Sequence, residues 1–122
     1  MKEAIVKYEV EERGEYLVIH VVGDITKKAY LEILDESISD HIDAGHHRFV
    51  FNLEKVEKID LDGIDLFIGC LTDVTEHGGG VYIVAEDNDV LQVLKDNSLD
   101  KLIPIYETDE AFAADHGISS LD

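Results

Sequence analysis

Two short apolar runs set the strongest limit on how this chain can fold. Phe49-Val50-Phe51-Asn52-Leu53 and Val81-Tyr82-Ile83-Val84-Ala85 are nearly continuous in hydrophobic side chains. Both are too short for a buried helix, and neither alternates as a half-solvated strand would. They read as central strands covered on both faces, the condition met in a parallel sheet. Before, between and after them the period changes. Tyr30, Ile33, Leu34, Ile38 and Ile42 recur at helical spacing, with Thr26 as the predicted N-cap and Gly45 as the stop. Ile64, Phe67, Ile68, Leu71 and Val74 repeat that spacing in a helix that starts near Asp62 or Gly63 and ends at Gly78. Residues 88–96 predict a short helix around Val90, Leu91, Val93 and Leu94, and Ile103 to Tyr106 a last short strand. Thr108 then caps a terminal helix whose first turn carries Asp109 and Glu110, the sign that the helix dipole favours.

Upstream of the first helix the spacing is that of strands. Residues 4–10 place Val6, Tyr8 and Val10 on one face, and Tyr16 to Val22 places Leu17, Ile19 and Val21 on one face. Arg13-Gly14-Glu15 between them makes the pair a hairpin. The predicted order is therefore β-β-α-β-α-β-α-β-α. This is an α/β fold with a mixed, mostly parallel sheet of about five strands, about four helices, and an antiparallel hairpin strand at one side. The chain has 122 residues and no linker-like composition, which predicts a single domain over residues 1–122.

Charge excludes several functions. Ten basic residues face 28 acidic ones, a formal net charge of −18, and only Lys95 and Lys101 are basic beyond Leu61. Such a surface repels a phosphate backbone and offers no basic patch for counterion release, so nucleic acid is excluded as a partner. Anionic membrane surfaces are disfavoured in the same way. No apolar run approaches the ~18–20 residues of a membrane span, and no signal-peptide core follows Met1, so the expected location is cytoplasmic without direct membrane insertion. A single cysteine, Cys70, rules out an internal disulfide framework. It falls among apolar helix positions and reads as a small buried hydrophobe. The adjacent His46 and His47 would face opposite sides of a strand, so with His41 they read as a solvated loop. His77 is placed to favour a helix C-terminus. Gly78-Gly79-Gly80 leads into a strand and lacks Lys-Ser/Thr, so it is no phosphate loop. No catalytic pairing of side chains stands out, and neither an enzyme nor a cofactor is expected.

The most informative stretch is the one after Leu53. A buried strand ends, a polar loop follows, and a helix begins near Asp62 or Gly63. That junction lies at the carboxyl edge of the sheet, where open α/β sheets place their sites. Asp60, Asp62 and Asp65 already supply negative charge there, and Asp62 is the expected acidic N-cap. A calcium loop fails the spacing test. With Gly63 at loop position 6, positions 1 and 12 would be Lys58 and Gly69. No metal is expected.

Several of these segments together resemble the STAS domain family of bacterial anti-sigma factor antagonists. Val50-Phe51-Asn52-Leu53 and Asp60-Leu61-Asp62-Gly63 stand where that family shows a strand followed by Asp-Ser-Ser/Thr-Gly. Gly23-Asp24-Ile25-Thr26 is similar to its Gly-Glu-Leu-Asp turn, and Gly78 to Val84 to its glycine turn into a strand. Leu99 to Thr108, followed by Ala111, is similar to its C-terminal signature. The resemblance covers nearly the whole chain and implies the STAS fold. It also implies a non-catalytic protein-interaction module acting in transcription regulation by partner switching. In that family the antagonist binds an anti-sigma factor that is also a Ser/Thr kinase, and phosphorylation of the first Ser of the motif breaks the complex.

This chain departs from the family at that Ser. The phosphoacceptor position holds Leu61, the next holds Asp62, and no hydroxyl residue lies between Leu53 and Cys70. Phosphorylation is therefore not expected at Leu61. Asp62 is a poor phosphate mimic, because one step along a helix turns a side chain by about 100°. Three readings stay open: a permanently binding-competent module with Leu61 as an apolar contact, a permanently released form, or a domain serving a different partner. The last includes a STAS subunit of a membrane transport ATPase assembly, such as one for phospholipids. Leu61 could equally be tucked into the sheet edge. The expected partner-binding surface is Asp24, Asp60, Leu61, Asp62, Gly63 and Phe67.

Overall fold

The computed structural model describes residues 6–117. Ala4 and Ile5, expected to open the first strand, and the side chain of Tyr30 lie outside the described residues. Strands β1 (Lys7–Arg13) and β2 (Tyr16–Ile25) form the hairpin, closing at Arg13 opposite Tyr16. Gly14 supplies the positive φ of 61° that the two-residue turn needs. There follow α1 (Lys28–Asp43), β3 (Arg48–Ile59), α2 (Leu61–Thr75), β4 (Gly80–Val84) and α3 (Asp89–Asp96). A 3₁₀ turn at Leu99–Lys101, β5 (Ile105–Tyr106) and α4 (Asp109–His116) complete the order. The five strands lie in the sheet in chain order, β1 antiparallel to β2 and all other neighbours parallel. Expected and observed fold class agree.

A sheet whose parallel strands are added one after another in the same direction needs its crossovers on one face. The packing has that form. Leu17 and Ile19 of β2, Phe49 and Phe51 of β3, and Val81 and Ile83 of β4 share one core with Leu34 and Ile38 of α1, Phe67 and Val74 of α2, and Leu91 and Leu94 of α3. The opposite face carries a smaller cluster of Val18, Val50 and Val84 against Phe112 of α4, ringed by Tyr16, Tyr82 and Tyr106. With this second cover β2 is buried on both faces, Val18 against α4 and Leu17 and Ile19 against the main core. The terminal helix keeps Glu110 and Asp115 in solvent and packs its other side on the sheet. Phe112 is fully buried, and the Asp109 carboxylate accepts from Arg13 Nη1 at 2.8 Å. His116 is hydrogen-bonded to Tyr16 and Tyr106 through its two ring nitrogens.

One boundary differs from the sequence reading in a way that shapes the site. β3 does not end at Leu53 in a polar loop but runs on to Ile59, paired with β2 as far as Ile25 opposite Ile59. Register shifts lie between His20 and Val22 and between Gly23 and Ile25. Beyond Leu53 the buried residues of β3 are Val56 and Ile59, three apart, so the extension shows no alternation by which a strand is recognised.

Candidate functional site

Because β2 and β3 are parallel and finish together, both chains leave the same edge of the sheet, one into α1 and the other into α2. Asp60 stands at that exit in extended conformation and is the N-cap of α2. Its Oδ1 accepts from the backbone N–H of Asp62 at 3.0 Å and of Gly63 at 3.3 Å. Its Oδ2 accepts from the backbone N–H of Lys27, 33 residues earlier, at 3.1 Å. Its own N–H donates to the Ile25 carbonyl at 3.2 Å. One residue thus caps α2, satisfies an amide at the start of α1, and fastens both to the end of β2. Thr26, expected to cap α1, does not. Lys27 is the N-cap residue, with φ 62° and no side-chain cap bond, and the carboxylate arriving from β3 serves its amide. Asp62, expected as the cap of α2, is its second residue, half-buried in the first turn where the dipole favours an acid.

Gly63 is held by packing. A Cβ there would fall 2.8 Å from Ile25 Cγ2, 2.8 Å from Ile59 Cγ1 and 2.9 Å from the Ile25 carbonyl oxygen. The last of these is backbone and cannot swing aside, so the position admits hydrogen only. Asp60 and Gly63 are therefore the framework of the Asp60-Leu61-Asp62-Gly63 turn, and its two middle residues face outward to different degrees. Leu61 is the first residue of α2 and is 63% exposed, not tucked into the sheet edge. Full burial of such a side chain would be worth about 1.5–3 kcal/mol, most of which is forgone here. Asp24 lies inside β2, next to Ile25, half-buried at the same edge.

Phe67 must be removed from the expected contact surface. It is fully buried, its ring 4.9 Å from that of Phe51 beneath α2. Its helical spacing with Ile64, Cys70 and Val74 turns it inward onto the sheet. Cys70 is buried as expected, and burial pushes its thiol up to about 12, which leaves no nucleophilic thiolate at neutral pH. His47 is not simply solvated: its ring stacks on that of His77 with centroids 4.3 Å apart. His77 Nδ1 lies 3.2 Å from the Asp73 carbonyl at the end of α2. Among the described residues no three His, Cys, Asp or Glu side chains are placed to hold a metal ion. No described helix is long and apolar enough to cross a membrane. What the edge presents is one exposed hydrocarbon side chain, Leu61, at the head of α2 beside the half-buried carboxylate of Asp62.

The family model described as the STAS domain matches residues 7–111, from the start of β1 into α4. An anti-sigma factor antagonist from Mycobacterium paratuberculosis superposes with a TM-score of 0.81 at 22% identity, covering 93% of this chain and 96% of that one. The anti-sigma factor antagonist SpoIIAA in its unphosphorylated form gives 0.76 at 21% identity, with 93% and 99% covered. An anti-sigma-factor antagonist (STAS) domain protein from Planctomyces limnophilus gives 0.71 at 18%, with 88% and 96% covered. No curated protein matches the chain. The solved structures share the fold, and the family match spans every strand and both helix starts at the candidate edge: the chain belongs to the STAS domain family.

Proposed function

We propose that the chain is a non-catalytic interaction module of bacterial regulation, acting as an anti-sigma factor antagonist does, with a docking edge centred on Leu61. Asp24, Asp60 and Asp62 frame that side chain and Gly63 holds its turn. The observation that carries the reading is the exposure of Leu61 at the head of α2, on a turn whose other elements are fixed by hydrogen bonds and packing. A hydrocarbon surrounded by carboxylates suits a partner with an apolar socket in a basic surround, and the net charge of −18 steers such a partner in. A phosphoryl group would add about −1.5 to −2 charges, but Leu61 has no hydroxyl to receive it. The association is therefore not toggled at this turn, and in this reading Leu61 serves as a standing apolar contact.

Affinity purification of the full chain from its host, followed by calorimetric titration of the purified partner, tests this. The expected partner is a soluble anti-sigma factor with a Ser/Thr kinase fold, and Leu61→Lys weakens it by about tenfold or more. Unchanged affinity of Leu61→Lys overturns the edge. Phosphate incorporated by that kinase at any hydroxyl of the chain, with release of the partner, overturns the untoggled reading. Stoichiometric recovery with a membrane transport ATPase instead replaces the regulatory reading with a transport-assembly subunit.

A further inference from the structure

We infer that the groove between α1 and α2 is a second docking surface, shaped and charged for a basic amphipathic helix of the protein partner. The inference rests on the proposal that this chain docks on a protein, and it names the chemistry that the partner must present.

The groove opens beside Asp62 and has a volume of about 380 Å³. Leu66, half-buried on α2, gives it an apolar wall, and Leu31 of α1 lies buried at its floor, 3% exposed. Glu32 and Asp35 stand on the α1 bank, and Asp62 and Asp65 on the α2 bank. A smaller hollow of about 190 Å³ continues between the same two helices, with Ile42 inside and Asp43, Asp73 and Glu76 around it. From Asp62 to Glu76 the α2 bank is about 21 Å long, the span of roughly 14 helical residues.

Gly69 is the observation independent of charge. It lines the groove in the middle of a 15-residue helix, its φ is not positive, and a Cβ added there would meet nothing within 4 Å. Neither backbone conformation nor packing requires glycine at this position, in contrast with Gly63. A mid-helix glycine costs about 1 kcal/mol relative to alanine. What it provides is room, and the room is in the groove.

Charge selects the occupant. α2 contains no Lys or Arg, and among the described residues Glu32, Asp35 and Asp65 take part in no ion pair. Like charges facing one another across the groove destabilise it, and a cationic side chain between them reverses the sign. An apolar lining between acidic banks asks for one apolar stripe flanked by Lys or Arg. Two side-by-side helices accept a third at the usual interaxial distance of about 8–10 Å. Helix-in-groove recognition by anchors at i, i+3/i+4 and i+7 meets all three conditions.

The test uses the full chain and a synthetic, fluorescein-labelled helical peptide of about 16 residues, with leucines at i, i+4, i+7 and i+11 and Lys or Arg flanking them. Its controls are a scrambled peptide of identical composition and a charge-reversed one with Glu for Lys and Arg. At low salt, fluorescence anisotropy is expected to show binding of the striped basic peptide, with the scrambled one at least about tenfold weaker and the reversed one not bound. Gly69→Phe fills the open space and is expected to weaken the striped peptide about tenfold or more while leaving the circular dichroism spectrum and melting temperature unimpaired. The double variant Asp35→Lys, Asp65→Lys is expected to abolish binding by charge alone. Leu61→Lys, which tests the neighbouring edge, is expected to keep peptide affinity within about threefold. Equal binding of striped and scrambled peptides, or undiminished binding by Gly69→Phe, overturns the groove. In either case the response of the natural partner to Leu61→Lys still decides the edge, so the two proposals fail separately.

Discussion

α1 and α2 begin side by side at one edge of the sheet, yet they are started by different means. α2 has its own cap in Asp60, ordinary backbone geometry, and a buried face of Ile64, Phe67, Cys70 and Val74. α1 has no side-chain cap, and its N-cap residue Lys27 sits at φ 62°, a conformation rare outside glycine. Its entry amide is satisfied by the cap of the other helix. α2 is thus the anchored partner and α1 the dependent one. The edge that joins them behaves as a unit hinged on a single carboxylate, while its exposed residue, Leu61, hangs from the anchored side.

The sharpest way to break this asymmetry is through the anchor itself. Phe67→Ala removes a fully buried ring and is expected to cost about 3–5 kcal/mol in chemical denaturation. A loss below about 1 kcal/mol would mean that α2 is not the anchor. Next comes the contact of the anchor with β2. Gly63→Val forces carbon into the space held by Ile25 and Ile59, with an expected loss of about 1–3 kcal/mol, read as a lowered urea midpoint. Asp60→Ala is expected to cost about 1–2 kcal/mol. More telling is hydrogen exchange, which should speed up at Asp62 and Gly63 and also at Lys27. Acceleration confined to α2 would show that α1 does not depend on the shared cap. Lys27→Gly relieves the positive φ and should raise stability by about 0.5–1 kcal/mol, provided that the Asp60 bond is kept. Leu61→Lys should leave stability within about ±0.5 kcal/mol, since little packs on that side chain. A larger loss would move Leu61 from the surface to the framework.

How much of this could be read from the sequence depended on whether the controlling contacts were local. The double-sided strands at Phe49–Leu53 and Val81–Ala85, the hairpin and the helical stripes follow from side-chain periods, which are set by neighbours in sequence. The strand extension from Glu54 to Ile59 did not, because its bulged pairing replaces alternation by burial at every third residue. Phe112 was invisible for a similar reason. α4 contains one large apolar residue and hence no stripe, although that residue fills the second core. The positions of Asp60, Leu61 and Gly63 at a strand-to-helix junction were legible, but the bond from Asp60 to Lys27 was not, since no local pattern marks a contact 33 residues away. Phe67 showed two signals at once, a motif neighbourhood suggesting the surface and a helical period suggesting the core, and the period prevailed because side-chain direction on a helix is fixed by geometry.

Leu61 also determines what can change over evolutionary time. Its neighbours Asp60 and Gly63 are pinned by amides and by backbone, so an exchange at either is penalised before any partner is met. Leu61 bears no such constraint, and its replacement requires no compensating change elsewhere. On the proposed docking reading, partner choice at this edge can therefore drift by single substitutions on an unaltered scaffold, and a lineage can gain or lose a hydroxyl there without passing through an unstable ancestor.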